Sequence, residues 1–327
     1  VLDGDSEVMA GFQAFINGTS FDAVNAMSYN FIADVASVSG SGSKSYSLPG
    51  FTISASIIGG RTSAGTSNIV YTVSVSGQTV SWSGVDIVSK LIVTATPTTT
   101  LSYAGFVYND YSVNPPIFKI APTFTPFNLV QVIDLTPAFG QIVQTNVPAS
   151  IPFIAFHRSL AASGFNHVWW TEINQNGYWA LQFRPNFGYQ MTATRIYIFA
   201  KMMVNVPSGG FFMYNNGQMV WHSNCLPLQM QTGSITNAGQ PVASTSGVSV
   251  VVSQPFDPAF PNTGITLYNC YSGGVNSSGQ YEASGGDLYS SSNYQVPQGR
   301  PPSYSCGPPG FIFCNAYDSY YRQALGV

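Results

Sequence analysis

Apolar residues alternate with small polar ones over short runs through much of the chain, the period-two pattern of strands with one buried face. Phe51 to Ile58 (FTISASII) alternates in this way and stops at Gly59-Gly60. Ile69 to Val75 (IVYTVSV) and Thr79 to Trp82 (TVSW) flank Ser76-Gly77-Gln78, a glycine-containing connection that predicts a β-hairpin. Lys90 to Thr96 is a β-branched run closed by Pro97, and His167 to Ile173, Tyr178 to Phe183 and Ala193 to Val206 predict further strands. In the last of these, Ile196, Ile198, Ala200 and Met202 share one face, while Tyr197, Phe199 and Met203 add apolar area elsewhere. That pattern predicts a central strand of a packed sandwich. Helical spacing is weak throughout, and its best candidate is Asp22–Val35, where Val24, Met27, Phe31 and Val35 recur every three or four residues.

Prolines 115, 116, 122, 126, 137 and 148 crowd the stretch before Ser150 and place a domain boundary near Pro148. Beyond Gln254 the composition shifts, and 272–304 is dominated by Ser, Gly, Tyr, Asn, Gln and Pro. Such a segment reads either as a loop or as an arm that orders on neighbouring subunits with tyrosines as anchors. The expected architecture is all-β: a β-rich N-terminal domain over 1–148, a β-sandwich or jelly-roll-like domain over 149–255, and a Gly/Ser/Tyr/Pro-rich C-terminal arm over 256–327.

Charge changes the picture more than any motif. Ten Lys+Arg and thirteen Asp+Glu make up 7% of the 327 residues, with a formal net charge of −3, against about 25% in ordinary soluble domains. The few scattered cations argue against nucleic-acid binding. Three Glu and four Lys are too few for a charged helical bundle. The apolar stretch Ile151 to Phe156 contains Pro152 and ends at His157-Arg158, too short to span a membrane as a helix. A surface with so little like-charge repulsion favours permanent packing against other subunits.

Candidate chemistry is sparse. Cys225, Cys270, Cys306 and Cys314 have no two-residue metal or redox spacing; Cys306 and Cys314 flank a Gly-Pro-Pro-Gly turn and form a candidate disulfide, with buried free thiols as the alternative. His157, His167 and His222 lie in different elements, and no nucleophile elbow, phosphate loop or dinucleotide fingerprint is present. Asp3, Asp5 and Glu7 lack the spacing of a calcium loop. No catalytic, cofactor or metal site is expected, and the chain reads as a non-enzyme. Glu172, beside Trp169 and Trp170, is the one arrangement compatible with glycan cleavage, and its expected role is a structural pairing with Arg158 or Arg184. Trp169, Trp170, Tyr289 and Tyr294 are the candidate surface-contact residues, since aromatics give large contact area at low entropic cost.

One region carries a more specific pattern. A strand through Tyr197-Ile198-Phe199-Ala200 is followed by the turn Pro207-Ser208-Gly209-Gly210. Then comes Phe211 to Tyr214, the Asn215-Asn216-Gly217 turn, Met219-Val220-Trp221, His222-Ser223-Asn224 and Leu226-Pro227-Leu228. This stretch, 189–228, resembles one found in small tail proteins of tailed bacteriophages, where a strand, an Asn-Gly-type turn, a hydrophobic return strand, a polar pair and Pro-Leu follow in the same order. Residues 11–22, with Asn17-Gly18 as the turn, form a looser second copy. The resemblance specifies hairpins and implies a virion, with a place at the tail before the capsid: a tail fibre, tail-tip or receptor-binding subunit. Its partners would be copies of itself, in a trimer or hexamer, other virion proteins, and a host surface glycan or outer-membrane receptor. A capsid or decoration protein, a secreted adhesin or filament subunit, and a polysaccharide-degrading enzyme are the alternatives.

Overall fold

The computed structural model describes residues 31–58, 63–64, 67–68, 70–97, 108–110, 117–120, 125–138, 140–160, 168, 170–183, 193–215, 217–232, 241–245, 249–252, 265–275, 281–290 and 310–327, together with Ile16, Gly18 and Thr19. Among the described residues the fold is all-β apart from one C-terminal helix. In chain order the strands begin with β1 Phe31–Ser45, β2 Phe51–Ile58, the short β3 Ser63–Ala64 and β4 Ser67–Asn68, β5 Thr72–Ser76 and β6 Thr79–Pro97. Next are β7 Tyr108–Asp110, β8 Ile117–Ile120, β9 Asn128–Leu135, β10 Ile142–Pro148, β11 Phe153–Ser159, β12 Trp170–Gln175 and β13 Tyr178–Phe183. Then follow β14 Thr194–Ala200, β15 Phe212–Asn215, β16 Gln218–His222, β17 Gln231–Thr232, β18 Val242–Thr245 and β19 Ser249–Val252. The series ends with β20 Ile265–Val275, β21 Tyr281–Ser290, β22 Gly310–Phe313 and the helix α1 Asn315–Leu325.

The centre of the fold is a nine-stranded sheet with the path β17-β22-β18-β11-β14-β9, joined by β20 on β11 and carrying β19 and β21 at its side. Strands β11 and β14 are interior and buried on both faces, so their sequences run almost unbroken in apolar residues. Phe153 and Ala155 with Ile196, Ile198 and Ala200 form one face, which packs on Val147, Trp170, Leu181 and Phe183 of the three-stranded sheet β10-β13-β12. The opposite face, Ile154 and Phe156 with Tyr197 and Phe199, packs on Trp221, Tyr317 and Ala324 and on Ile32, Ile58 and Ile92 of the N-terminal sheet. The strand expected over 193–206 is present with two apolar faces but ends at Ala200; beyond its end, Met202 packs with the first set and Met203 with the second.

The N-terminal sheet runs β1-β6-β2, with β5 also on β6. Its long strands β1 and β6 pair antiparallel but slip register around Gly40 and Gly42, and such irregularities bend a sheet. Gly84, at φ +71°, lies where an added Cβ would stand 2.7 Å from the Val70 carbonyl. The bend brings Val80 and Val85 onto Ile53, Ile57, Leu91 and Val93 in a second apolar cluster.

Three expectations are corrected. Phe31–Val35, the end of the expected helix, is the start of β1, because Ile32 and Val35 reach the central core while Ala33 serves the second cluster on the other face; the rest of that expected helix lies outside the described residues. Pairing crosses both expected domain boundaries. Strands β9 and β10, before residue 149, bond to β14 and β13, and β22, far beyond 255, bonds to β18. The C-terminal segment is also no arm at its end, since β22 and α1 complete the central sheet and its core.

Candidate functional site

The densest polar cluster fastens α1 to the central sheet. Arg158 on β11, with Arg195 and Tyr197 on β14, faces Asp318 in the first turn of α1. Asp318 Oδ2 accepts from Arg158 Nη2 at 2.8 Å, and its Oδ1 accepts from Arg195 Nη1 at 2.8 Å and from the Tyr197 hydroxyl at 2.6 Å. Tyr197 in turn accepts from Arg158 Nε at 2.9 Å. Arg195 also forks onto Asp134 of β9, at 2.7 and 2.6 Å. Two guanidiniums and two carboxylates leave the cluster neutral. Burial, reinforced by its acidic neighbours, pushes the Tyr197 phenol well above its ordinary range, so it stays a neutral donor.

The helix is held at two more points. Tyr317 is buried, donates to the Pro227 carbonyl at 2.9 Å, accepts from Gln229 N–H at 2.8 Å, and meets Phe199 edge-on. Asn205, at φ +48°, donates to the carbonyls of Gln323 and Ala324, closing the helix C-terminus together with left-handed Gly326. Asn224 donates to the Asn205 carbonyl at 3.1 Å. Asn205 and Asn224 both belong to the stretch 189–228, whose expected hairpin is present as β15–β16 with Gly217 at φ +79°. In the looser copy, Thr19 N–H bonds the Ile16 carbonyl at 2.9 Å around left-handed Gly18, a tight turn. The described part of that copy stops there.

A second surface is chemically unusual. On the outer half of the N-terminal sheet, Ser45, Thr79 and Ser76 lie in one row across β1, β6 and β5, and Ser43, Ser81 and Ser74 in the next. Thr72 and Ser83 add a third row, with hydroxyls 2.7 Å apart. This face is largely exposed and carries hydroxyls alone. Its reverse carries Val73, Val80 and Trp82 toward the second cluster, and the Trp82 indole lies over Gly42, where a Cβ would come within 2.6 Å.

The sequence-derived candidates separate. Trp170 is a correction: it is 4% exposed and packs edge-on against His157 and Phe183, so it offers no surface contact. The alternation on β12 explains this, since Trp170 faces the central sheet. Trp169, Tyr294 and Cys306 lie outside the described residues, and Tyr289 is placed only by backbone, on β21 opposite Leu267. Cys314 is a buried free thiol, as is Cys225, so the bridge to Cys306 is absent and the free-thiol alternative holds for these two. Burial pushes both thiols up to about 12. Glu172 pairs with Lys90 of β6, not with Arg158 or Arg184, and so ties the N-terminal sheet to the three-stranded one. Among the described residues no group of His, Cys, Asp and Glu is arranged to hold a metal ion.

The residues that sequence reasoning missed are Asp318 and its partners. A signal was there: Tyr317, Tyr320, Tyr321 and Ala324 recur at helical spacing before Gly326. No protein-family model matches the chain, and no curated protein or solved structure shows a significant match to it.

Proposed function

We propose that this chain is a structural subunit of a bacteriophage particle, at the tail, acting by self-association and adhesion to a host surface and not by bond chemistry. The observation that carries the assembly part is where the charges lie. Asp34, Asp134, Glu172 and Asp318, the carboxylates whose side chains are described, all sit in ion pairs within the chain. Their partners Lys44, Lys90, Arg158 and Arg195 are thereby neutralised, and Lys201 donates to the Ala33 carbonyl. Among the described residues, Arg322 apart, little unpaired charge faces outward, and the surface presents hydroxyls, amides and isolated apolar side chains such as Val206 and Tyr214. Surfaces of that kind associate readily.

The tail assignment rests on the resemblance at 189–228. In this reading, the packing of β10-β13-β12 on the central sheet is a β-sandwich of the kind used in virion subunits. Native mass spectrometry of the purified chain at micromolar concentration tests assembly, with a trimer or hexamer expected and a stable monomer overturning it. Antibody labelling of purified particles tests location: label on the tail supports the proposal, whereas label on the capsid, or none, removes the tail assignment.

A further inference from the structure

We propose that the open edge of β5 is an assembly contact, pairing antiparallel with β5 of a second copy about a two-fold axis through Ser74. The inference rests on the self-association reading and names its surface.

Strand β5 bonds to β6 and to no other described strand. The hairpin closes through a two-residue turn, Gly77-Gln78, with Ser76 opposite Thr79. Such a turn makes the closing pair exchange both backbone bonds, and the pattern then alternates. Ser74 therefore bonds to Ser81, and the N–H and C=O groups of Val73 and Val75 point away from β6.

Natural edges are guarded by lysine, proline, bulges or a covering segment. The edge Thr72-Val73-Ser74-Val75-Ser76 contains neither lysine nor proline, keeps unbroken register with β6, and is exposed at Thr72, Ser74, Val75 and Ser76. Val75 is 36% exposed. Its closest cation by row is Lys44, two strands away beyond Val80 and already paired with Asp34.

The occupant follows from symmetry. The edge reads hydroxyl–Val–Ser–Val–hydroxyl, the same in both directions. Antiparallel pairing about Ser74 sets Val73 of each copy opposite Val75 of the other. Those are the residues with free backbone groups, so every outward N–H and C=O finds a partner. One side of the joined sheets continues the hydroxyl rows, and the other extends the Val80–Val75 row into Val73 of the second copy. No charges meet. A five-residue strand pair is smaller than a stable stand-alone interface, so the contact works with others in a larger assembly. Of a trimer and a hexamer, only the hexamer can contain a two-fold contact.

Two variants test this. Val75→Pro removes an outward N–H and leaves the bonds to β6 intact; the hexamer is expected to fall to trimer or smaller with the unfolding midpoint unchanged. Ser74→Cys places two thiols across the axis, at a Cα separation of about 4.5 Å, within disulfide reach. Mild oxidation is expected to give a covalent dimer several-fold above that of Ser43→Cys, a control on the same hydroxyl face. Assembly of Val75→Pro as in the parent, or cross-linking of Ser74→Cys no better than the control, overturns the contact while leaving self-association standing. A parent chain that stays monomeric, with no cross-linking of Ser74→Cys, overturns both. Should Val75→Pro fail to fold, the cross-linking comparison decides alone.

Discussion

Buried polar side chains are where single residues matter most in this fold. His222 is fully buried, with Nδ1 accepting the Asn224 N–H at 3.2 Å, and burial lowers its pKa from 6.5 to about 4, with the Val204 carbonyl acting the other way. The folded state thus binds its proton less readily than the unfolded chain. Stability from this group is full above pH 6.5 and falls on acidification through the window down to about 4, by up to about 1.4 kcal/mol per pH unit. Replacing it by His222→Asn should flatten that part of the stability–pH curve, measured by urea unfolding at several pH values; an unchanged curve would show that His222 does not titrate this way. Cys225 and Cys314 make a second residue-scale prediction. With thiols at about 12, neither should react with iodoacetamide at neutral pH in the native chain, and both should react once it is unfolded, as read by peptide mass mapping.

At the scale of elements, α1 is the informative case. An eleven-residue helix is marginal by itself, and this one persists because Tyr317 and Ala324 enter the core and Asp318 meets two arginines. Asp318→Asn leaves the two guanidiniums with one carboxylate, Asp134, which bonds Arg195 alone, so Arg158 loses its ion pair. The expected loss is about 2–4 kcal/mol in urea unfolding, below the full cost for a completely buried pair because the cluster is partly exposed. Loss close to that of an ordinary surface substitution would mean that apolar packing alone holds the helix. Asn205→Ala should act more locally. It removes two bonds to the helix C-terminus and places alanine at a positive φ, at a cost of about 1–2 kcal/mol. Hydrogen exchange should quicken in α1 while β11 and β14 keep their protection.

For the whole molecule, the proposed self-association is expected to be insensitive to salt, since the described carboxylates are all paired within the chain. Contacts made by hydroxyls, amides and apolar groups have little Coulomb energy to screen, so affinity should change by less than about two-fold between 50 and 500 mM sodium chloride. Sedimentation equilibrium reads this directly, and a steep salt dependence would point to charged surfaces outside the described residues. At this scale the sheet pairings also show why the expected domains did not appear. Pro137 does lie in the connection between two strands, yet β9 and β10 on its two sides each bond to strands dozens of residues later.

Local pattern by itself determined the class of this protein and many of its pieces. Alternation placed β2 and both faces of β14, and glycine turns placed the β5–β6 and β15–β16 hairpins, because strand period and left-handed turns are written in neighbouring residues. The low charge was equally plain. Which strands pair was not, since the bonds of β11 to β14, β18 and β20 join backbone groups that carry no residue-specific label. Phe31–Val35 has helical spacing and is nevertheless a strand, because a partner in β6 and two apolar clusters outweigh a weak local preference. Trp170 and Glu172 looked alike as sugar-facing neighbours, yet one is core and the other an ion pair with Lys90. Arg158, Arg195, Tyr197 and Asp318 become one cluster only when a helix more than a hundred residues away in the chain docks on their strands. Burial and long-range pairing are properties of the folded whole, so only the tertiary structure could decide them.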